Sequence, residues 1–166
     1  MARVLVIDDD PVILKVIADT LKTQKHEVST APDGRSGIVE LESDQYDLVI
    51  TDLMMPESGG MEVLDSVLSI SPRTKCIILT GYGTIKNSVE AIKKGAFDYL
   101  TKPVTAPEIL LVVEKALRFR SLEEENTRLK KELRSKYRYD NIVGTSSAMK
   151  KIYEPVSYTH LTLPTN

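Results

Sequence analysis

Short β-branched runs alternate with helical spacings through the first hundred residues of the chain. Arg3-Val4-Leu5-Val6-Ile7 reads as a strand closed by Asp8-Asp9-Asp10. Pro11 has the fixed φ of a first helical residue, with Asp10 as its N-cap. Val12, Ile13, Val16, Ile17 and Leu21 follow at helical spacing, which predicts a helix ending near Gln24. A strand Glu27–Thr30 leads into Pro32-Asp33-Gly34 and a helix carrying Ile38, Val39 and Leu41. Leu48-Val49-Ile50 has the unbroken apolar character of a strand buried on both faces. It stops at Asp52, and Pro56 and Gly59-Gly60 break the chain beyond. Next come a helix from about Met61 to Ile70, a strand Lys75–Thr80, a helix Ile85–Lys94 and a strand Ala96–Thr101. A last helix opens near Ala106-Pro107.

Five strands alternating with five helices predict an α/β fold, a doubly wound parallel sheet with right-handed crossovers. At 166 residues, 42% hydrophobic and 28% charged, the chain suits one globular domain plus an additional segment. A net charge of −2 gives no reason to expect direct nucleic-acid or membrane-surface binding. The apolar runs Val4–Ile7 and Ile109–Val113 are too short to span a bilayer, and no stretch reads as a secretory signal. The single cysteine, Cys76, lies in an apolar strand and reads as a buried thiol in a reducing compartment, so a cytoplasmic protein is expected.

The chemistry lies at the strand ends. In open α/β sheets, ligands bind outside the carboxyl edge. Strand one delivers Asp8 and Asp9, strand three Asp52, strand four Thr80, and strand five Lys102 just before Pro103. In a flavodoxin-like order 2-1-3-4-5, strands one and three are neighbours and three carboxylates converge. Protons or a cation must relieve their repulsion, and an all-oxygen site open to water suits Mg2+ (or Mn2+). Thr80 and Lys102 place a hydroxyl and an ammonium opposite, as donors for an anion. A nucleophile, a divalent metal and donors for equatorial oxygens are the parts of phosphoryl transfer, with central Asp52 as the nucleophile. Taken singly, Asp10 is a helix cap, Thr80 a strand former, Lys102 a surface lysine, Tyr99 a packing residue and Glu57 a solvated loop acid. Convergence at one edge is what gives Asp8, Asp9, Asp52, Thr80 and Lys102 a joint role.

The set Asp8-Asp9, Asp52 with Met55-Pro56 behind it, Thr80-Gly81 and Lys102-Pro103 resembles the receiver domain of two-component response regulators, from Arg3 to about Arg120. The resemblance implies transfer of a phosphoryl group from a sensor histidine kinase onto Asp52. It implies Mg2+ ligation by Asp9, Asp52 and the backbone carbonyl of Met54, with Asp8 acting mainly through metal-bound water. Lys102 would contact the phosphoryl group, Thr80 would swing toward it, and Tyr99 matches the aromatic switch position. The switch would be relayed through helix four, strand five and helix five. The Lys102-Pro103 bond is cis in the family. Gly59 departs from the polar turn residue usual at its position.

From Ala106 the helical pattern runs to about Tyr137 without Gly, and its only proline, Pro107, lies in the first turn. Phe119, Leu122, Asn126, Leu129 and Leu133 recur at 3-4-3-4 spacing, the a/d seam of a coiled coil, with Asn126 at an a position. Arg118 and Glu125 take g positions, and Glu123 and Lys130 take e positions, giving opposite-charge pairs across a parallel homodimer. Tyr139 to Met149 resembles the start of the AAA+ ATPase domain of sigma-54-dependent activators of the nitrogen-regulator class. The phosphate-binding G-x-x-x-x-G-K-[ST] that would follow is absent from these 166 residues, so no ATP hydrolysis by this segment is expected. A DNA-binding domain is expected in the parent protein by analogy. The predicted organisation is therefore receiver 1–119, coiled-coil linker 120–138, truncated AAA+ start 139–155 and a non-native tail 156–166.

Three other functions compete. An aspartyl phosphatase resembling the haloacid dehalogenase family needs a second Asp two residues after the nucleophile, where this chain has Met54. A dinucleotide-binding domain needs a glycine-rich first turn, where this chain has Asp8-Asp9-Asp10-Pro11 and would repel a pyrophosphate. A constitutive dimerisation module remains as the reading in which the acidic pocket does not react.

Overall fold

The computed structural model describes residues 1–81 and 85–143, with side chains to Arg138. Strands β1 (Arg3–Ile7), β2 (Glu27–Ala31), β3 (Leu48–Asp52), β4 (Lys75–Thr80) and β5 (Asp98–Thr101) form one parallel sheet in the order β2-β1-β3-β4-β5. Helices α1 (Pro11–Thr23), α2 (Gly34–Ser43), α3 (Gly60–Ile70), α4 (Ile85–Lys94) and α5 (Ala106–Val143) connect and follow them. The predicted alternation and strand order are both observed. Asp10 caps α1 as expected, its carboxylate accepting Val12 N–H at 2.9 Å.

The period-2 alternation of the strands divides the core. Val4, Val6, Leu48, Ile50, Ile77 and Leu79 point to one face, against Ile17 and Leu21 of α1 and Ile109, Val113 and Ala116 of α5. Leu5, Ile7, Val49, Cys76 and Ile78 point to the other, against Leu41 of α2, Leu64 and Val67 of α3 and Ala91 of α4. Each fully buried Leu or Ile contributes about 1.5–3 kcal/mol relative to exposure. Central β3 is buried along its whole length, as its apolar run requires. Cys76 is a buried thiol, and burial pushes its pKa up to about 12.

The second strand runs one residue past its expected end, to Ala31, and two further boundaries differ from expectation. The fifth strand starts at Asp98, not Ala96, because the residues before it finish the preceding helix. Gly95 takes a left-handed φ of 130°, and the Ala96 N–H closes onto Ala91 O at 3.0 Å. The last helix runs to Val143, past the expected end near Tyr137. Apart from that extension, the predicted ATPase start (139–155) and tail (156–166) lie outside the described residues. No described helix is long and apolar enough to cross a membrane.

The molecule divides into two units, Met1–Glu123 and Glu124–Asn166. The first contains the whole sheet. In the second, the described part of α5 is solvent-exposed through Arg138.

Candidate phosphoacceptor and metal site

The sheet register brings the acids together. Ile7 of β1 pairs with Thr51 of β3, so Asp8 and Asp52, each one residue further on, emerge side by side. Asp8 is fully buried and Asp52 is 5% exposed, while Asp9 is open to solvent. One carboxylate oxygen from each of Asp8, Asp9 and Asp52 lies within 4.8 Å of the others. Asp8 Oδ1 accepts Asp10 N–H at 2.9 Å, which fixes its carboxylate at the mouth of α1.

Lys102 follows β5, and its backbone N–H donates to Thr80 O at 2.7 Å, tying the ends of β4 and β5. The Lys102-Pro103 peptide is cis, as expected. The ammonium reaches across the sheet edge to Asp52 Oδ2 at 2.9 Å and Asp8 Oδ2 at 2.8 Å. Sequence spacing suggested an ammonium standing opposite the acids. The structure instead sets it between two of them, where its positive charge offsets the repulsion of the buried carboxylates.

Burial pushes the Asp8 carboxyl above the ordinary carboxylate range, with the Asp52 charge adding to the effect and Lys102 opposing it. Burial alone would lower the Lys102 ammonium, but its contacts with Asp8 and Asp52 outweigh that and hold it above its usual value. Asp8 Oδ2 is buried and faces the Lys102 ammonium at 2.8 Å, with no other hydrogen-bond partner among the described residues. A buried anionic oxygen with spare acceptor capacity, in an all-oxygen cluster lacking His or Cys, fits a hydrated hard cation.

Thr80 closes β4 at 4% exposure, in the same edge as Asp52 and Lys102. Tyr99 lies in β5, 42% exposed. Met54 N–H donates to Asp52 Oδ1 at 3.3 Å, and the Met54 side chain is 70% exposed. Glu57, in the loop after Asp52, holds a left-handed φ of 66°. Sequence reasoning did not single out Gly60. A Cβ there would lie 2.3 Å from Asp52 O and 2.8 Å from Leu53 Cα, so the start of α3 packs directly on the backbone of the central acid. The pair of glycines after Pro56 was the available signal.

A family model described as the response regulator receiver domain matches residues 4–114. The chain belongs to this family. The receiver is 31% identical over 150 residues to the regulatory protein AtoC of Escherichia coli K12, covering 90% of this chain and 32% of that one. It is 35% identical over 116 residues to the DNA-binding transcriptional regulator NtrC of Azospirillum brasilense, covering 70% and 24%. Among solved structures, NtrX from Brucella abortus in complex with ADP superposes with a TM-score of 0.75 at 30% identity, covering 93% of this chain and 33% of that one. A receiver domain protein from Clostridium thermocellum gives a TM-score of 0.69 at 40% identity, covering 74% and 98%. The nitrogen-regulator class that the sequence resembles is thus represented among its relatives. The chain spans about a third of the length of AtoC and a quarter of that of NtrC.

Proposed function

We propose that this receiver is the phosphoacceptor switch of a sigma-54-class transcriptional activator, loaded on Asp52 by a sensor histidine kinase. The observation that carries the reading is the clustering of the Asp8, Asp9 and Asp52 carboxylates within 4.8 Å, with the Lys102 ammonium 2.9 Å from Asp52. An Asp52 carboxylate oxygen attacks the phosphorus of a kinase phosphohistidine. A P–O bond forms as the P–N bond breaks, and the leaving imidazole takes up a proton. Asp9, Asp52 and the Met54 carbonyl would hold Mg2+ (or Mn2+), with Asp8 contributing mainly through metal-bound water, and the ion would supply positive charge against the acids and the phosphoryl oxygens. Lys102 transfers its ammonium from the carboxylates to a phosphoryl oxygen, and the Thr80 hydroxyl turns toward another.

Movement of Thr80 vacates space that Tyr99 fills, shifting the population of conformers on the face made by α4, β5 and α5. The linker carries that shift to a dimer. Leu122, Leu129 and Leu133 are 58%, 47% and 53% exposed at a/d spacing, an apolar seam that a second copy covers, with Asn126 setting its register. The parent protein adds AAA+ and DNA-binding domains, to which this dimer passes control, and works in the cytoplasm. On this reading the receiver is a phosphoacceptor and not a phosphatase of small substrates, and it binds neither nucleic acid nor membrane. Its own chemistry is self-catalysed phosphotransfer and dephosphorylation, and Met54 stands where an aspartyl phosphatase needs an acid.

Intact mass after incubation with acetyl phosphate and Mg2+ tests the reading. One phosphoryl adduct in the wild type, dependent on Mg2+ and missing from Asp52→Asn, is expected. No adduct under conditions that label another receiver would leave a constitutive dimerisation module as the better account.

A further inference from the structure

The sheet edge opposite the acids carries a second group of side chains that the switch chemistry does not use. Asp47, just before β3, accepts Arg3 N–H on Oδ2 at 2.8 Å and pairs through Oδ1 with Arg120 of α5 at 2.7 Å. Lys75 opens β4 with only 16% of its side chain exposed. Its ammonium lies 2.6 Å from Glu123 Oε2 and 5.0 Å over the Phe119 ring. Phe97 also packs against that ring, centroids 5.6 Å apart and planes tilted by 54°. The Lys75 N–H donates to Asp47 O at 3.2 Å, so the parts of this seat are tied to each other as well as to the helix.

The turn held in the seat is also the first turn of the heptad seam. Phe119 is its first a residue. Glu123 is an e residue, expected to meet Arg118 at g of a second copy. Both partners of that intermolecular pair are engaged within the single chain, Glu123 by Lys75 at 2.6 Å and Arg118 by Glu114 at 3.0 Å. An ammonium that is largely buried competes well for a carboxylate against a largely exposed guanidinium.

We propose that the Asp47–Lys75–Phe97 seat competes with a second copy of the chain for Phe119 and Glu123. Pairing between copies then begins at Leu122, and the receiver body weakens the dimer by withholding its first charge pair. This inference rests on the dimer reading given above. It adds that the strength of the dimer is regulated by residues of the receiver far from the phosphoacceptor edge.

Sedimentation equilibrium on the full 166-residue chain tests it, comparing wild type, Lys75→Met and Leu129→Asp. Lys75→Met keeps the apolar stem over Phe119 and removes the Lys75–Glu123 ion pair. It is expected to tighten the dimer by roughly two- to tenfold, since the pair recurs on both copies. Adding Arg118→Gln to Lys75→Met should remove that gain. An unchanged or weaker dimer in Lys75→Met, with Leu129→Asp still dissociating the wild-type dimer, overturns the seat and leaves the dimer standing. Wild type, Lys75→Met and Leu129→Asp all monomeric overturns the dimer reading and this inference with it. If Lys75→Met does not fold, Lys75→Gln keeps a polar end on the stem while removing the charge that holds Glu123. It should tighten the dimer about twofold, and no gain there also overturns the competition.

Discussion

The Lys102 ammonium lies 2.9 Å from Asp52 Oδ2, while Oδ1 of the same carboxylate accepts Met54 N–H at 3.3 Å. The two oxygens of the central acid therefore have different partners, one mobile and one backbone. The mobile one matters for stability as well as chemistry. Lys102→Met leaves Asp8 and Asp52 side by side without compensation. It should cost about 1–3 kcal/mol in metal-free urea titrations, below the full penalty of a broken buried pair because the lysine is partly exposed. Millimolar MgCl2 should restore part of the loss. Phosphoryl uptake, read by intact mass over time, should fall by about 100-fold.

Gly60 and Gly81 make a matched test of space beside the site. An added methyl at Gly60 meets Asp52 O at 2.3 Å and Leu53 Cα at 2.8 Å, both backbone, whereas at Gly81 it meets nothing within 4 Å among the described residues. Gly60→Ala should destabilise by about 1–3 kcal/mol and slow phosphorylation by displacing Asp52. Gly81→Ala should fold with wild-type stability. Thermal melts and acetyl phosphate labelling of both variants check this.

His26 makes the amino-terminal end of the sheet sensitive to acid. Its Nδ1 accepts Ala2 N–H at 3.2 Å, a bond that only the neutral ring can make. Burial first, and the chain's amino terminus second, lower its pKa below the ordinary histidine value, against a small opposing pull from Asp47. The unfolded chain then binds the proton more readily. The stability contributed by neutral His26 is complete above the unfolded value and is lost as pH falls through the lowered folded value. His26→Gln should lose less stability than wild type between about pH 7 and pH 5, measured as the change in urea midpoint.

Asn126 places an amide in an otherwise apolar seam. Asn126→Leu should tighten self-association and admit assemblies beyond two chains, because the buried amide exchanges stability for a defined register. Light scattering of the 166-residue chain should report a mass above that of a dimer for the variant.

Much of the fold was legible because its strands are short and its helices amphipathic. The fourth strand and fourth helix fall on the residues that periodicity assigns, Lys75–Thr80 and Ile85–Lys94. The carboxyl-edge residues were legible because strand order fixes which ends are neighbours. The position of Lys102 between Asp8 and Asp52 was not, since spacing says which edge a side chain occupies but not which charge it meets there. The same limit applies to Asp47–Arg120 and Lys75–Glu123. They join residues more than forty positions apart, and no local pattern marks one surface lysine or glutamate from the next. The start of β5 was misjudged because Ala96 and Phe97 look like strand residues, yet the Ala96 N–H is committed to ending α4.

Phe119 also bears on where this receiver ends as a physical object. The family match stops at residue 114, but Ala116 is fully buried and the Phe119 ring lies against Phe97. A chain cut at the end of the match would bare Phe97 and leave Lys75 and Asp47 without the partners they hold on α5. The compact unit that contains the sheet runs to Glu123. Arg120 and Glu123, which read as the beginning of a connecting segment, are thus tied by ion pairs to the amino-terminal edge of the sheet.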